Sequence, residues 1–85
     1  MDFIDNDYKY NPDDFSGILN LSDSLKNFYK FYEVYHKNRS RPNWFEFRRQ
    51  WEDLFFVIKA REVEGNLHPV TAGEIRSYLE VLVNG

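Results

Sequence analysis

Aromatic and aliphatic side chains recur at helical spacing through two long segments, residues 22–37 and 44–64. At about 100° per residue, the apolar side chains of each segment fall on one side of a helix. In the first segment these are Leu25, Phe28, Tyr29, Phe31, Tyr32, Tyr35 and His36. In the second they are Trp44, Phe47, Trp51, Leu54, Phe55 and Ile58. The spacing predicts two long amphipathic helices around a shared core, which indicates an all-α fold.

Capping residues predict where these helices begin and end. Asn11 followed by Pro12 is typical of a helix start and predicts a short helix over residues 12–20. Asn43, with Glu46 three residues later, predicts the start of the helix over residues 44–64. Gly65 predicts its end, because glycine readily adopts the left-handed conformation that follows many helices.

A third main helix is predicted over residues 72–83. Its start signals are Thr71 as N-cap, Glu74 as the capping-box partner, and Val70 with Ile75 as a hydrophobic staple. Its predicted buried stripe is Ile75, Tyr78, Leu79 and Leu82, whereas Arg76 and Glu80 are predicted to face solvent. Residues 1–10 lack a clear period and are predicted to form an extended arm. We therefore expect a single all-α domain over residues 1–85, with three main helices, a short N-terminal helix and the arm.

Charge is unevenly distributed along a chain whose formal net charge is −3. Residues 1–24 carry six acids and one lysine, residues 25–61 carry nine cations and four acids, and residues 62–85 carry four acids and one arginine. The chain contains no cysteine, which excludes a disulfide scaffold and a thiolate zinc site. The acidic N-terminus lacks a signal-peptide pattern and a long apolar run. We expect a small acidic cytoplasmic protein that does not enter a membrane.

The helix predicted over residues 44–64 has a second apolar strip outside its core stripe. Phe45, Phe56 and Val63 lie within about 20° of each other around the helix, with Arg49 and Glu52 beside them. One interpretation is that the N-terminal arm covers this strip through Phe3, Ile4 or Tyr8. The other is that the strip contacts another protein, because exposed phenylalanine beside arginine is typical of interface centres.

The N-terminal arm is a second candidate for protein contact. Its aspartates alternate with aromatic residues, including Tyr8 and Tyr10. Carboxylates steer association with basic partners, and tyrosine supplies rigid contact area. The balance of charge and aromatic residues is similar in composition to that of small acidic inhibitors. The alternative interpretation is an acidic terminus without a partner.

The segment KNRSRPNWFEFRRQW, residues 37–51, suggests nucleic-acid binding as the alternative function. Its candidate contact residues are Lys37, Arg39, Arg41, Arg48 and Arg49. Arginine binds phosphate with a planar fork of donors, and aromatic residues nearby stack on bases. Arg48 and Arg49 lie about 100° apart on a helix, however, and no spacing of a known nucleic-acid motif is present.

Catalytic and metal sites are not indicated by the sequence. The two histidines, His36 and His68, lack the paired spacing of a metal site, and no serine lies in a nucleophile elbow. No cofactor is predicted. We therefore expect a non-catalytic protein-binding module, acting as a stoichiometric inhibitor or an assembly factor. Its contact residues would be Phe45, Arg49, Phe56, Tyr8 and Tyr10, and its partner another protein or a second copy of this chain.

Overall fold

The structure is a computed structural model and describes residues 8–84. This part of the chain contains three α-helices. Helix α1 runs over Leu21–Lys37, α2 over Arg41–Val63 and α3 over Pro69–Asn84. A 3₁₀ turn, Pro12–Phe15, precedes them. No strand occurs within residues 8–84, and the predicted all-α class is confirmed.

The core lies where α1 and α3 pack against α2. Its buried apolar side chains are Leu21, Leu25, Phe28, Tyr29, Phe47, Leu54, Ile58, Leu67, Ala72, Ile75 and Leu79. The ring of Phe28 lies 5.1 Å from that of Phe47 and 6.2 Å from that of Trp51, so that aromatic packing joins α1 to α2. Such pairs add to the apolar area that each ring removes from water.

The predicted short helix over residues 12–20 is wrong in its extent. Asn11 does cap the segment, since its side chain accepts a hydrogen bond from the backbone N–H of Asp13 at 2.9 Å. After Phe15 the backbone continues as turns, in which the N–H of Ile18 bonds to the carbonyl of Phe15 at 3.0 Å. Asn20 then adopts a left-handed conformation with φ of 65°, which stops a continuous helix before α1.

Helix α2 begins earlier than the sequence predicts. Ser40, not Asn43, is the N-cap, and its hydroxyl accepts from the N–H of Asn43 at 3.3 Å. Pro42 lies inside the first turn, where a missing N–H costs no helical hydrogen bond. The predicted stop is confirmed: Gly65 has φ of 85°, and the N–H of Asn66 bonds to the carbonyl of Arg61 at 3.0 Å.

Helix α3 also begins before its predicted N-cap, Thr71, which lies inside the helix. The first helical residue is Pro69, and Nδ1 of His68 accepts a hydrogen bond from the N–H of Val70 at 3.1 Å. Proline suits this position because its φ is already helical. The predicted exposure of Arg76 is also wrong. It is partly buried and pairs with Glu62 at 2.8 Å, a hydrogen bond that lowers the pKa of the Glu62 carboxyl.

Candidate functional site

The second apolar strip of α2 is exposed within the described part of the chain. Phe45 is 59% exposed, Phe56 73% and Val63 76%. The buried side chains of the same helix, Phe47 and Leu54, point to the opposite side. We call the surface formed by Phe45, Phe56 and Val63 the outer strip. It extends about 27 Å along the helix axis at about 1.5 Å per residue.

Charged side chains separate the members of the outer strip. Arg49 and Glu52 lie between Phe45 and Phe56 on this side of the helix, and Lys59 lies between Phe56 and Val63. Glu52 accepts from Arg48 at 3.4 Å, and both side chains are well exposed. Arg49 makes no ion pair with any residue of the described range 8–84, including Asp53 four residues further on. Its guanidinium is therefore not neutralised by a carboxylate of residues 8–84.

Tyr8 does not cover the outer strip. Its ring stacks on Tyr29 of α1 with centroids 3.9 Å apart, and its hydroxyl donates a hydrogen bond to the carboxylate of Glu33. Burial and the nearby Glu33 carboxylate raise the pKa of the Tyr8 phenol above its usual range. Phe3 and Ile4, the other residues predicted to cover the strip, lie outside the described residues. Within residues 8–84, the chain leaves the strip bare.

Tyr10 packs against the helices in the same way as Tyr8. Its ring lies 5.4 Å from that of Tyr78 in α3 and 6.4 Å from that of Phe15. Its carbonyl accepts a hydrogen bond of 2.7 Å from the hydroxyl of Tyr29, and burial raises the pKa of the Tyr29 phenol. These contacts fasten the chain to α1 and α3. Tyr8 and Tyr10 thus have packing partners within the chain, and the contact of either tyrosine with another protein stays a prediction.

The five cations of the predicted nucleic-acid segment are spread over the end of α1, the loop that follows it and the first half of α2. Lys37 and Arg41 are exposed at the end of α1 and the start of α2. Arg48 and Arg49 leave α2 about 100° apart, as the helical geometry requires. Arg39 lies over the ring of Tyr35, with its guanidinium carbon 5.6 Å from the ring centre. A terminal nitrogen of the same guanidinium lies 3.1 Å from Nδ1 of His36.

A cleft of about 330 Å³ lies beside Arg39, where the C-terminal ends of α1 and α3 meet the start of α2. Its walls include Tyr32, Tyr35, His36, Arg39, Trp44 and Leu82. The sequence assigns Trp44 to the core stripe, but its side chain is only partly buried and forms one wall of this cleft. The wall comes from three helices and one loop, so the pattern of any one segment cannot reveal it. We call this feature the aromatic cleft.

Metal ligands and membrane spans were sought among the residues that the structure describes. Within residues 8–84, no three histidine or acidic side chains converge as metal ligands. None of the helices there is both long and apolar enough to cross a membrane. Comparison with protein-family models, with curated proteins and with solved structures gave no match to this chain. The surfaces themselves are therefore the basis for assigning a function.

Proposed function

We propose that this chain is a non-catalytic protein-binding module whose contact surface is the outer strip of α2. The observation that carries the proposal is the exposure of Phe56, 73%, on the side of α2 that faces away from the core. A phenylalanine held on a rigid helix loses few conformations when a partner covers it. Its burial then contributes about 1.5–3 kcal/mol to association.

The charged neighbours of the outer strip favour a partner with both apolar and acidic side chains. Arg49 is beside the strip without an ion pair among the described residues, and Arg41 and Lys59 lie on the same half of α2. Interfaces commonly surround an aromatic centre with such polar groups, and arginine is enriched at the energetic centre itself. This composition supports the proposal that the chain binds another protein stoichiometrically, as an inhibitor or as an assembly factor.

The test uses two variants that differ only in where an exposed apolar residue is replaced. Phe56→Asp places a charge at the centre of the outer strip, and Val81→Asp does so on α3, where Val81 is 67% exposed. We expect Phe56→Asp to abolish recovery of the partner from a cell lysate while Val81→Asp recovers it like the wild type. The complex is then sized by light scattering. Equal recovery by both variants, with both folded, would exclude the outer strip.

The alternative function, nucleic-acid binding through Lys37, Arg39, Arg41, Arg48 and Arg49, makes a separate prediction. Nuclease treatment of the lysate would abolish partner recovery, and direct binding would weaken steeply with salt. The slope of log affinity against log salt would approach about −0.7 per phosphate contacted on a single strand. A nuclease-resistant complex at physiological salt supports the protein-binding function instead.

A further inference from the structure

The aromatic cleft, on a different part of the molecule from the outer strip, has the composition of a small-ligand site. Its volume of about 330 Å³ lies at the lower end of the range for ligand pockets, roughly 300–1,000 Å³. Tyr35 and Trp44 lie next to each other in it, with ring centroids 5.6 Å apart. Arg39 lies over the Tyr35 ring and Phe47 stacks on it, so Trp44 is the ring of this pair that can stack on a flat ligand.

Arg39 supplies a positive charge whose position is restrained from two sides. The Tyr35 ring lies under the guanidinium, and Nδ1 of His36 accepts one of its hydrogen bonds. Arginine has no acceptor atoms, so the guanidinium is the donor in this contact. The guanidinium keeps further N–H donors for a ligand, because this contact uses one nitrogen of the planar fork.

No acidic side chain among the described lining residues of the cleft balances the positive charge of Arg39. None of the described residues that line it is an aspartate or a glutamate, and Arg39 makes no ion pair within residues 8–84. Glu33 lines an adjoining hollow that shares Tyr32, His36 and Leu82 with the cleft. Its carboxylate accepts the hydrogen bond of the Tyr8 hydroxyl, which fixes it on that side.

From this geometry we propose that the aromatic cleft binds a flat ring that carries an anionic group, of the size of a nucleoside monophosphate. The ring stacks on Trp44, and the anionic group accepts hydrogen bonds from Arg39. Stacking on aromatic side chains accepts any base, because every base has a π-face. The ligand is either a free nucleotide or the end of a single strand, and both present the same chemistry to the cleft.

The experiment is a titration of the isotope-labelled full chain, followed through the indole N–H of Trp44. The Trp51→Phe variant assigns this signal, because the chain has two tryptophans. The probes are uridine 5′-monophosphate, uridine, inorganic phosphate and a short oligouridylate. We expect saturable shifts with the monophosphate, and weaker binding of uridine and phosphate by about tenfold, since each lacks one of the two recognised groups. Tighter binding of the oligouridylate than of the monophosphate identifies a strand end as the source.

Two charge-neutralising variants complete the test. Arg39→Gln is expected to weaken binding of the monophosphate by about tenfold, because it removes the charge-assisted hydrogen bonds. Lys30→Gln, at an exposed position of α1 outside the cleft, is expected to bind like the wild type. The proposal is overturned if millimolar uridine 5′-monophosphate leaves the Trp44 signal unmoved. It is equally overturned if uridine binds as tightly as the monophosphate, or if both variants bind alike.

Discussion

Phe45 and Phe47 are the same residue type, two positions apart on α2, and they occupy opposite environments. Phe47 is 1% exposed and contacts Phe28, Tyr32 and Tyr35 of α1, whereas Phe45 is 59% exposed. Two residues correspond to about 200° around a helix, so one position faces the core when the other faces away. The comparison teaches that aromatic content alone does not distinguish core from contact surface on this helix.

Replacing Phe47 with alanine is expected to have the largest effect on stability, and Phe45→Ala is its matched control. Phe47→Ala leaves a cavity between α1 and α2, and we expect it to lower the free energy of unfolding by about 3–5 kcal/mol. That loss is comparable with the whole stability of many small domains. Phe45→Ala is expected to change it by less than about 0.5 kcal/mol. Urea denaturation followed by far-ultraviolet circular dichroism measures both, and equal losses would contradict the assignment of the two faces.

A second pair of variants compares the stability contributions of two tyrosine hydroxyl groups of α1. Tyr29→Phe removes the hydroxyl that donates to the Tyr10 carbonyl, and we expect a loss of about 1–2 kcal/mol in unfolding free energy. Tyr35→Phe is the control, because its hydroxyl makes no hydrogen bond within the described residues. A loss at Tyr35 as large as that at Tyr29 would contradict the anchoring role of residues 8–10.

The same tyrosine gives a pH dependence with a defined sign. Burial raises the pKa of the Tyr29 phenol, so the folded state holds this proton more tightly than the unfolded chain does. Its contribution is therefore fully present below about pH 10, the usual tyrosine pKa, and declines as the pH rises further. We expect urea denaturation at pH 8 and pH 11 to show a smaller loss of stability for Tyr29→Phe than for the wild type.

Two glycine variants, Gly65→Ala and Gly17→Ala, are expected to differ only modestly in stability. Gly65→Ala places a side chain at φ of 85° and is expected to cost about 1 kcal/mol, because left-handed backbone disfavours a Cβ. Gly17→Ala is the control, since its φ is not positive and a Cβ there would meet no atom within 4 Å. Thermal denaturation separates the two. An unchanged melting temperature for Gly65→Ala would contradict the capping account of the end of α2.

Periodicity predicted the fold well, because a helix with a wide apolar face must bury that face. Phe28, Phe47 and Ile58 all lie in the core where the stripes indicate. Helix starts were predicted less well, because both Pro42 and Pro69 fit into a first turn and move the start before the expected caps. The sequence also indicated the second strip of α2, but whether another segment covers such a strip depends on tertiary packing.

The aromatic cleft shows the limit of sequence interpretation more clearly. Trp44 belongs to the core stripe by its helical position, and Arg39 belongs to a polar loop. The side chains of Trp44 and Arg39 reach one cleft only because α1, α2 and α3 pack together there. The residue spacing within a single segment does not predict how the helices pack.

Site-specific photocrosslinking at Phe56 tests the central claim most directly. Phe56→p-benzoylphenylalanine keeps a large aromatic ring on the outer strip and forms a covalent bond to whatever lies within a few ångströms on illumination. The matched control carries the same residue in place of Val81 on α3, at similar exposure. We expect position 56 to give one discrete crosslinked product. We expect position 81 to give neither this product nor another product of similar yield. The same crosslinks from both positions, or none from position 56 in cells that contain the partner, would contradict the outer strip as the contact surface.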